Sequence, residues 1–305
     1  MGMQFWWFYD VAAAAVILVA IFISARKPLS KAVASLIAYA LGLLVAISAS
    51  GSLSESFYKS AVKNSNTDKI EKSLNDNSIT TEVKIYMESL GYNISVKEEN
   101  LAKIFSEAGL STVHDDVYSA LYEYANNING RVVDTEEAFN EKMTEGFAEI
   151  ISDIVSENLS RYAAETAYEA VIDDSASINA FLVLTQQEYL TDAAEYIEEN
   201  YTSAAYMSMI RLIGVLILMF VIVIAVKFFA HALLDKGSDF AQLSIAEHIC
   251  GGIIGLLIGA IIVVIISVAI RIYTMLGSGE MLFFNNEVID KTLFFRYVYD
   301  LVIKL

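Results

Sequence analysis

The sequence predicts an all-α protein: four membrane-spanning helices with an inserted extracytoplasmic helical domain. Three observations carry that expectation. Ile249–Ile270 contains no charge and is long enough to cross a bilayer, which takes about 20 apolar residues. The chain is 56% hydrophobic, with a mean hydropathy of +0.50, yet its formal net charge is -17, so apolar and acidic residues must occupy different regions. They do: residues 52–205 hold ten Lys/Arg against twenty-nine Asp/Glu, a net of −19, and the remainder nets +2. An acidic domain is thus inserted into a near-neutral membrane protein. The expected divisions are 1–51 (spans 1 and 2), 52–205 (acidic domain), 206–276 (spans 3 and 4) and 277–305 (tail).

The first span runs from about Phe5 to Ala25. Its basic residues, Arg26, Lys27 and Lys31, follow the apolar stretch, and Trp6, Trp7 and Tyr9 sit at its start as an aromatic belt. A cleaved signal peptide carries its cations first, so a retained span is favoured. The second span runs from Ala32 to about Ser50, with Gly42 inside it. The third lies between Arg211 and Lys227, two side chains able to snorkel and so lengthen a short span. The fourth steps through Gly251, Gly255 and Gly259, which share one helical face. Glycines so spaced let another backbone approach closely, either within the chain or at an oligomer or pore.

Arg26–Lys31 carries three cations and no acid, so the positive-inside rule makes that turn cytoplasmic. Parity then places both termini and the acidic domain outside, and Lys227–His248 inside. Asp10 is the ionisable residue closest to lipid, within a turn or two of the outer interface. It either caps the first helix or pairs with Arg211 or Arg271, which share that side of the membrane.

In the acidic domain, Gly91, Gly109 and Gly130 each follow a helical stretch, where a left-handed residue closes a helix. Ser95-Val-Lys-Glu98 reads as a capping box, and Asp134 with Glu137 as a similar start. Phe139, Met143, Phe147, Ile150, Ile151, Ile154 and Val155 recur at helical spacing. The predicted core is modest, built of Ile, Leu, Phe and tyrosines (Tyr118, Tyr122, Tyr124, Tyr162, Tyr168). Asn64–Asn77 reads as a flexible connector or short helical turn, and Gln186–Ile213 as a stalk-like helix running into the third span. The tail Glu280–Leu305 (including Phe283, Phe284) mixes apolar residues with the i,i+4 pairs Glu287/Lys291 and Arg296/Asp300. It predicts an interfacial amphipathic helix rather than a fifth crossing.

Motifs for chemistry are scarce. His114, His231 and His248 have no zinc spacing, and Cys250, expected to be a buried small hydrophobe, cannot form an intrachain disulfide. No phosphate-binding loop, nucleophile elbow or calcium loop is present. The acidic doublets Glu98-Glu99, Asp115-Asp116, Glu136-Glu137, Asp173-Asp174 and Glu198-Glu199 read as solvated helix faces. A domain this acidic repels nucleic acid. No catalytic residue, cofactor or metal is expected; the expected partners are the lipid bilayer and either further copies of the chain or another membrane protein.

Phe8-Tyr9-Asp10, the basic turn Arg26-Lys27 leading into Leu36-Ile37-Ala38, the run Gly251-Gly252-Ile253-Ile254-Gly255-Leu256-Leu257-Ile258-Gly259 and the tail Asn286-Glu287-Val288-Ile289-Asp290-Lys291-Thr292-Leu293-Phe294 occur in that order. Together they resemble the colicin V production protein family of bacterial inner-membrane proteins. The resemblance covers about residues 1–75 and 206–305. Two features depart from it: Pro28 stands near a glycine the family often keeps, and the large acidic insert is atypical. The resemblance implies a non-enzymatic inner-membrane role in peptide-toxin production or export, or in envelope homeostasis. The glycine face would then mediate assembly and the acidic domain recognition or scaffolding. A small-solute channel or transporter subunit is the alternative; it requires a polar path, and the spans offer Ser24, Ser35, Tyr39, Ser48 and Ser267. A membrane-tethered sensor is a third reading, for which the inner loop is too short to hold an output domain.

Overall fold

A computed structural model describes residues 6–107, 116–186, 190–234, 244–277 and 286–304, and contains no strand among them. Gly109, His114, Asp115, Phe283 and Phe284 fall outside these residues. Four helices are long and apolar enough to cross a membrane. The chain divides into two compact units, Met1–Phe57 with Met207–Leu305, and Tyr58–Tyr206.

The apolar unit contains α1 (Trp7–Ala25), α2 (Leu29–Phe57), most of α11 (Ser203–Leu234), α12 (Ile245–Leu276) and the short helices α13 (Asn286–Asp290) and α14 (Phe295–Ile303). α12 opens with a capping box, Ser244 accepting from the Glu247 amide while Glu247 accepts from that of Ser244. Within this unit α12 packs against α1, α2 and α14. Many large apolar side chains point outward, among them Leu18, Phe22, Leu44, Phe220 and Ile253, as expected of helices whose outer faces meet lipid. The tail departs from expectation. Rather than one helix it is two short ones, whose Val288, Ile289, Phe295 and Tyr299 are buried beside Tyr9, Ala13 and Val263, while Leu293, Phe294, Tyr297, Leu301 and Ile303 remain exposed. Tyr9 accordingly leaves the expected aromatic belt and stacks on Phe295 with ring centroids 5.1 Å apart. Cys250 is exposed, not buried.

In the acidic unit α3 (Lys63–Asp76), α4 (Ile79–Ser89), α5 (Glu98–Glu107), α6 (Val117–Asn129), α7 (Glu136–Asn158), α8 (Arg161–Asp173), α9 (Ser177–Leu184) and α10 (Thr191–Ile197) share one core, which runs from Ile70 to Ala205 and is larger than expected. α7 is its centre: every residue of its apolar stripe is buried, and α3, α4, α6 and α8 pack around it. Gly146 lies directly beneath the Tyr86 ring, where a methyl group would have no room. Tyrosines fill the core with their rings and fasten loops with their hydroxyls. Tyr86, Tyr118, Tyr122 and Tyr196 donate to the carbonyls of Lys142, Ser175, Asp134 and Ser177.

Gly91 and Gly130 adopt positive φ after α4 and α6, as their spacing predicts. The two expected helix starts shift. α5 begins at Glu98 with its first amides on the Lys97 carbonyl; the Lys97 amide, which a Ser95 cap could have taken, donates to the Tyr124 hydroxyl, and that of Val96 to Glu88. α7 is capped by Thr135 through the Ala138 amide, while Asp134 turns to Lys142 at 2.8 Å, which holds its carboxyl below the usual range. Asn64–Asn77 is no connector. Asn66, Ile70, Ser73 and Leu74 make a buried stripe, so packing overrides the polar composition and forms α3. The expected helix from Gln186 begins at Thr191 and continues, through a π-helical turn at Glu198–Thr202, into α11. A second π-turn, Tyr58–Val62, lies between α2 and α3.

Candidate functional site

The glycine face of α12 is filled from within the chain. α1 and α12 run antiparallel, and a Cβ on Gly251 would lie 2.7 Å from the Ser24 carbonyl oxygen. On Gly255 it would lie 2.6 Å from both the Ala20 oxygen and the Ile21 Cα, and on Gly259 2.8 Å from the Ile17 Cα. Ala13, Ala20 and Ser24 are the buried small residues of α1. Small residues on both helices let the backbones touch, which replaces the hydrophobic drive that lipid does not supply. Of the readings the spacing allowed, packing within the chain is the one seen: α1 occupies this face, which leaves it unavailable for assembly. Gly42 of α2 makes a looser approach, its Cβ position 3.0 Å from a Val223 methyl of α11.

Asp10 neither caps its own helix nor pairs with Arg211 or Arg271. Its Oδ2 accepts from the Leu293 amide at 2.8 Å, and its Oδ1 from the amides of Phe294 (3.0 Å) and Phe295 (2.8 Å). The amides of Phe294 and Phe295 are among the donors an α-helix leaves unsatisfied at its start, so the carboxylate of α1 caps α14 from 285 residues away in sequence. The Tyr299 hydroxyl joins the same cluster by bonding Asn286 Oδ1 and Thr274 Oγ1, both at 2.9 Å. The Arg271 guanidinium lies 5.9 Å from the Tyr299 ring. Arg211 Nε is buried without a hydrogen-bond partner among the described residues. Replacing Asp10 with alanine should cost about 1–2 kcal/mol, the usual range for a lost cap. Hydrogen exchange would localise the effect as loss of protection at Phe295–Tyr299.

The basic turn residues separate. Arg26 sets its guanidinium 3.8 Å from the Phe22 ring centroid, whereas Lys27 and Lys31 line a cleft with Ser35, Lys227 and His231. Lys227 donates to the Tyr39 hydroxyl at 3.1 Å, and His248 Nδ1 lies 2.6 Å from the Ala25 carbonyl oxygen.

One residue read as a solvated acid is the opposite. Glu198, in the π-turn after α10, has no exposed surface, and neither carboxylate oxygen has a hydrogen-bond partner among the described residues. Burial, with Glu199 adding like charge, pushes its carboxyl up to about 7. The Tyr58 hydroxyl and Asn66 Nδ2, in the other π-turn and in α3, are likewise buried and unpartnered. α3 packs on α10 and on the Glu198 turn, and Lys63 bridges Glu195 (2.7 Å) and Glu199 (2.6 Å) on the outside of that contact. The doublet thus divides: Glu199 faces the solvent-side cation and Glu198 turns inward. A signal was present in the sequence, because Ala194, Glu198, Tyr201 and Ala205 fall on one helical stripe whose other members are apolar. Chemically this is a carboxyl able to take up and release a proton near neutral pH. It lies within the acidic unit, outside the apolar stretch of α11. Among the described residues no group of three or more His, Cys, Asp or Glu is arranged to hold a metal.

No family model matches the chain, and no curated protein or solved structure shows significant similarity to it.

Proposed function

We propose that this chain is a non-enzymatic, multi-pass inner-membrane protein of the colicin V production type. It serves toxin production or export, or envelope homeostasis, and its acidic helical unit is a recognition or scaffolding module outside the cytoplasm. One observation carries the reading. The segments of family resemblance are distant in sequence but pack on each other: Phe8-Tyr9-Asp10 against the tail, and α1 against Gly251, Gly255 and Gly259. The motifs therefore act as one packing unit, and the acidic unit between them is free to be specific to this chain. The cations of the Arg26–Lys31 turn support the orientation with both termini outside.

The channel reading has less support. Ser48 is exposed and Ser24 buried against Gly251, Ser267 is buried, and Tyr39 is engaged by Lys227, so these groups do not converge on one path. Protease added to sealed spheroplasts should cut the acidic unit, and loss of the gene should lower release of an exported peptide toxin. Cleavage only after permeabilisation would overturn the orientation. Unchanged toxin release together with solute flux through protein-containing liposomes would favour the channel.

A further inference from the structure

We infer that Glu198 is a proton-operated latch within the acidic unit: protonated, it keeps the π-turn Glu198–Thr202 closed against α3, and ionised, it releases that contact while the rest of the unit stays folded. The geometry is that of a buried acid with nothing to satisfy it. Glu198 has no exposed surface, and neither carboxylate oxygen has a hydrogen-bond partner among the described residues. A neutral carboxyl tolerates such a position; an ionised one is driven toward water.

The elements packed on the turn, α3, α8 and α10, bring no compensating cation inward. On α3 the Lys63 ammonium is taken by Glu195 and Glu199 on the outer side of the contact, Glu71 is half-buried, and Asp68, Lys69, Lys72 and Asp76 are exposed. The buried stripe of α8 is Ala163, Ala164, Ala167 and Val171; its Tyr162 and Tyr168 are half-buried, and Arg161, Glu165, Glu169 and Asp173 are exposed. On α10, Asp192 and Glu195 are exposed and Tyr196 donates to the Ser177 carbonyl. Within the turn, the Tyr201 hydroxyl pairs with Ser177 Oγ, and the charge acting on Glu198 is that of Glu199, of like sign.

The turn is also able to move. The Glu198 carbonyl accepts from the Ser203 amide five residues on, the bond of a π-helix, and from Thr202 Oγ1 at 3.2 Å. A π-turn holds one residue more than an α-turn, and taking it up in ordinary winding rotates the chain by about 100°, the scale that carries a side chain from core to surface. α3 holds a second unsatisfied group, Asn66 Nδ2, which release of the contact would hydrate.

The test is amide hydrogen exchange of the full chain in detergent micelles at pH 5 and pH 8, each rate divided by the intrinsic rate at that pH. The carboxyl titrates at about 7 when closed and at its ordinary 4.5 when released. Opening at Lys63–Asp76 and Glu198–Thr202 should therefore be on the order of 50-fold more frequent at pH 8. At that pH it should exceed the opening of α7 roughly tenfold or more. Glu198→Gln and Glu198→Leu should each remove the pH dependence. Loss of the Lys63 ion pairs accompanies acidification, the opposite direction, so it does not imitate the effect. Equal opening of α3, the turn and α7 would overturn the latch, because the unit would then unfold as one. So would the same rise with pH in the two variants, which would assign it to another group.

Discussion

Replacing Gly255 with leucine should prevent α1 and α12 from packing, at a cost of about 3 kcal/mol or more. The new Cβ would stand 2.6 Å from the Ala20 carbonyl oxygen and the Ile21 Cα. Both are backbone atoms, so no rotamer change makes room and the helices must separate along the contact. Separation would also pull Tyr9 and Asp10 from the tail, since α1 carries both. Gly252 gives the control on the same helix: its Cβ position has an Ile21 methyl at 3.8 Å as nearest neighbour, an ordinary contact. Titration with a denaturing detergent should show Gly255→Leu unfolding far earlier than wild type and Gly252→Ala close to wild type. Equal midpoints for all three would mean that α1 does not sit on this face.

Glu198→Gln should remove a pH dependence of stability that wild type shows between about pH 4.5 and 7. In the unfolded chain the carboxyl titrates at its ordinary 4.5, and in the fold at about 7. Below the lower value both states are protonated and nothing is lost. Between the two, the folded state holds a proton that the unfolded state has released, so stability falls as pH rises and levels off above about 7. The full shift is worth on the order of 3 kcal/mol. Glutamine keeps the shape and never ionises, so at pH 8 the variant should be more stable than wild type by about that amount, and at pH 4 nearly equal to it. Chemical unfolding of both proteins at the two pH values checks this, and since Glu195, Glu199 and Lys63 are common to both, the difference isolates Glu198. Parallel pH profiles would show that the carboxyl is solvated.

Local signals in the sequence were reliable where one element decides the outcome. The α7 stripe, the positive-φ glycines at 91 and 130 and the four apolar helices all follow from spacing and composition, because a helix needs only its own periodicity to declare a buried face. Errors fell where the deciding partner is distant. Ser95 resembles a cap, but the Lys97 amide it could have taken donates to the distant Tyr124 hydroxyl. Asn64–Asn77 resembles a linker, but its Ile70 and Leu74 have a core to enter. Asp10 offered a choice of two partners and took a third, the start of a helix at the other end of the chain.

By itself, then, the sequence determined the solvent of each region and the helical class, since charge segregation and helical period are properties of a segment alone. It also determined that α12 has a face narrow enough for backbone contact. Only the tertiary structure decided what fills that face, that Glu198 turns inward while Glu199 turns out, and that basic side chains from the first turn, α2 and α11 line one cleft. Each of these depends on which surfaces come together, and the energy of a charge or a close contact belongs to the pair rather than to either residue.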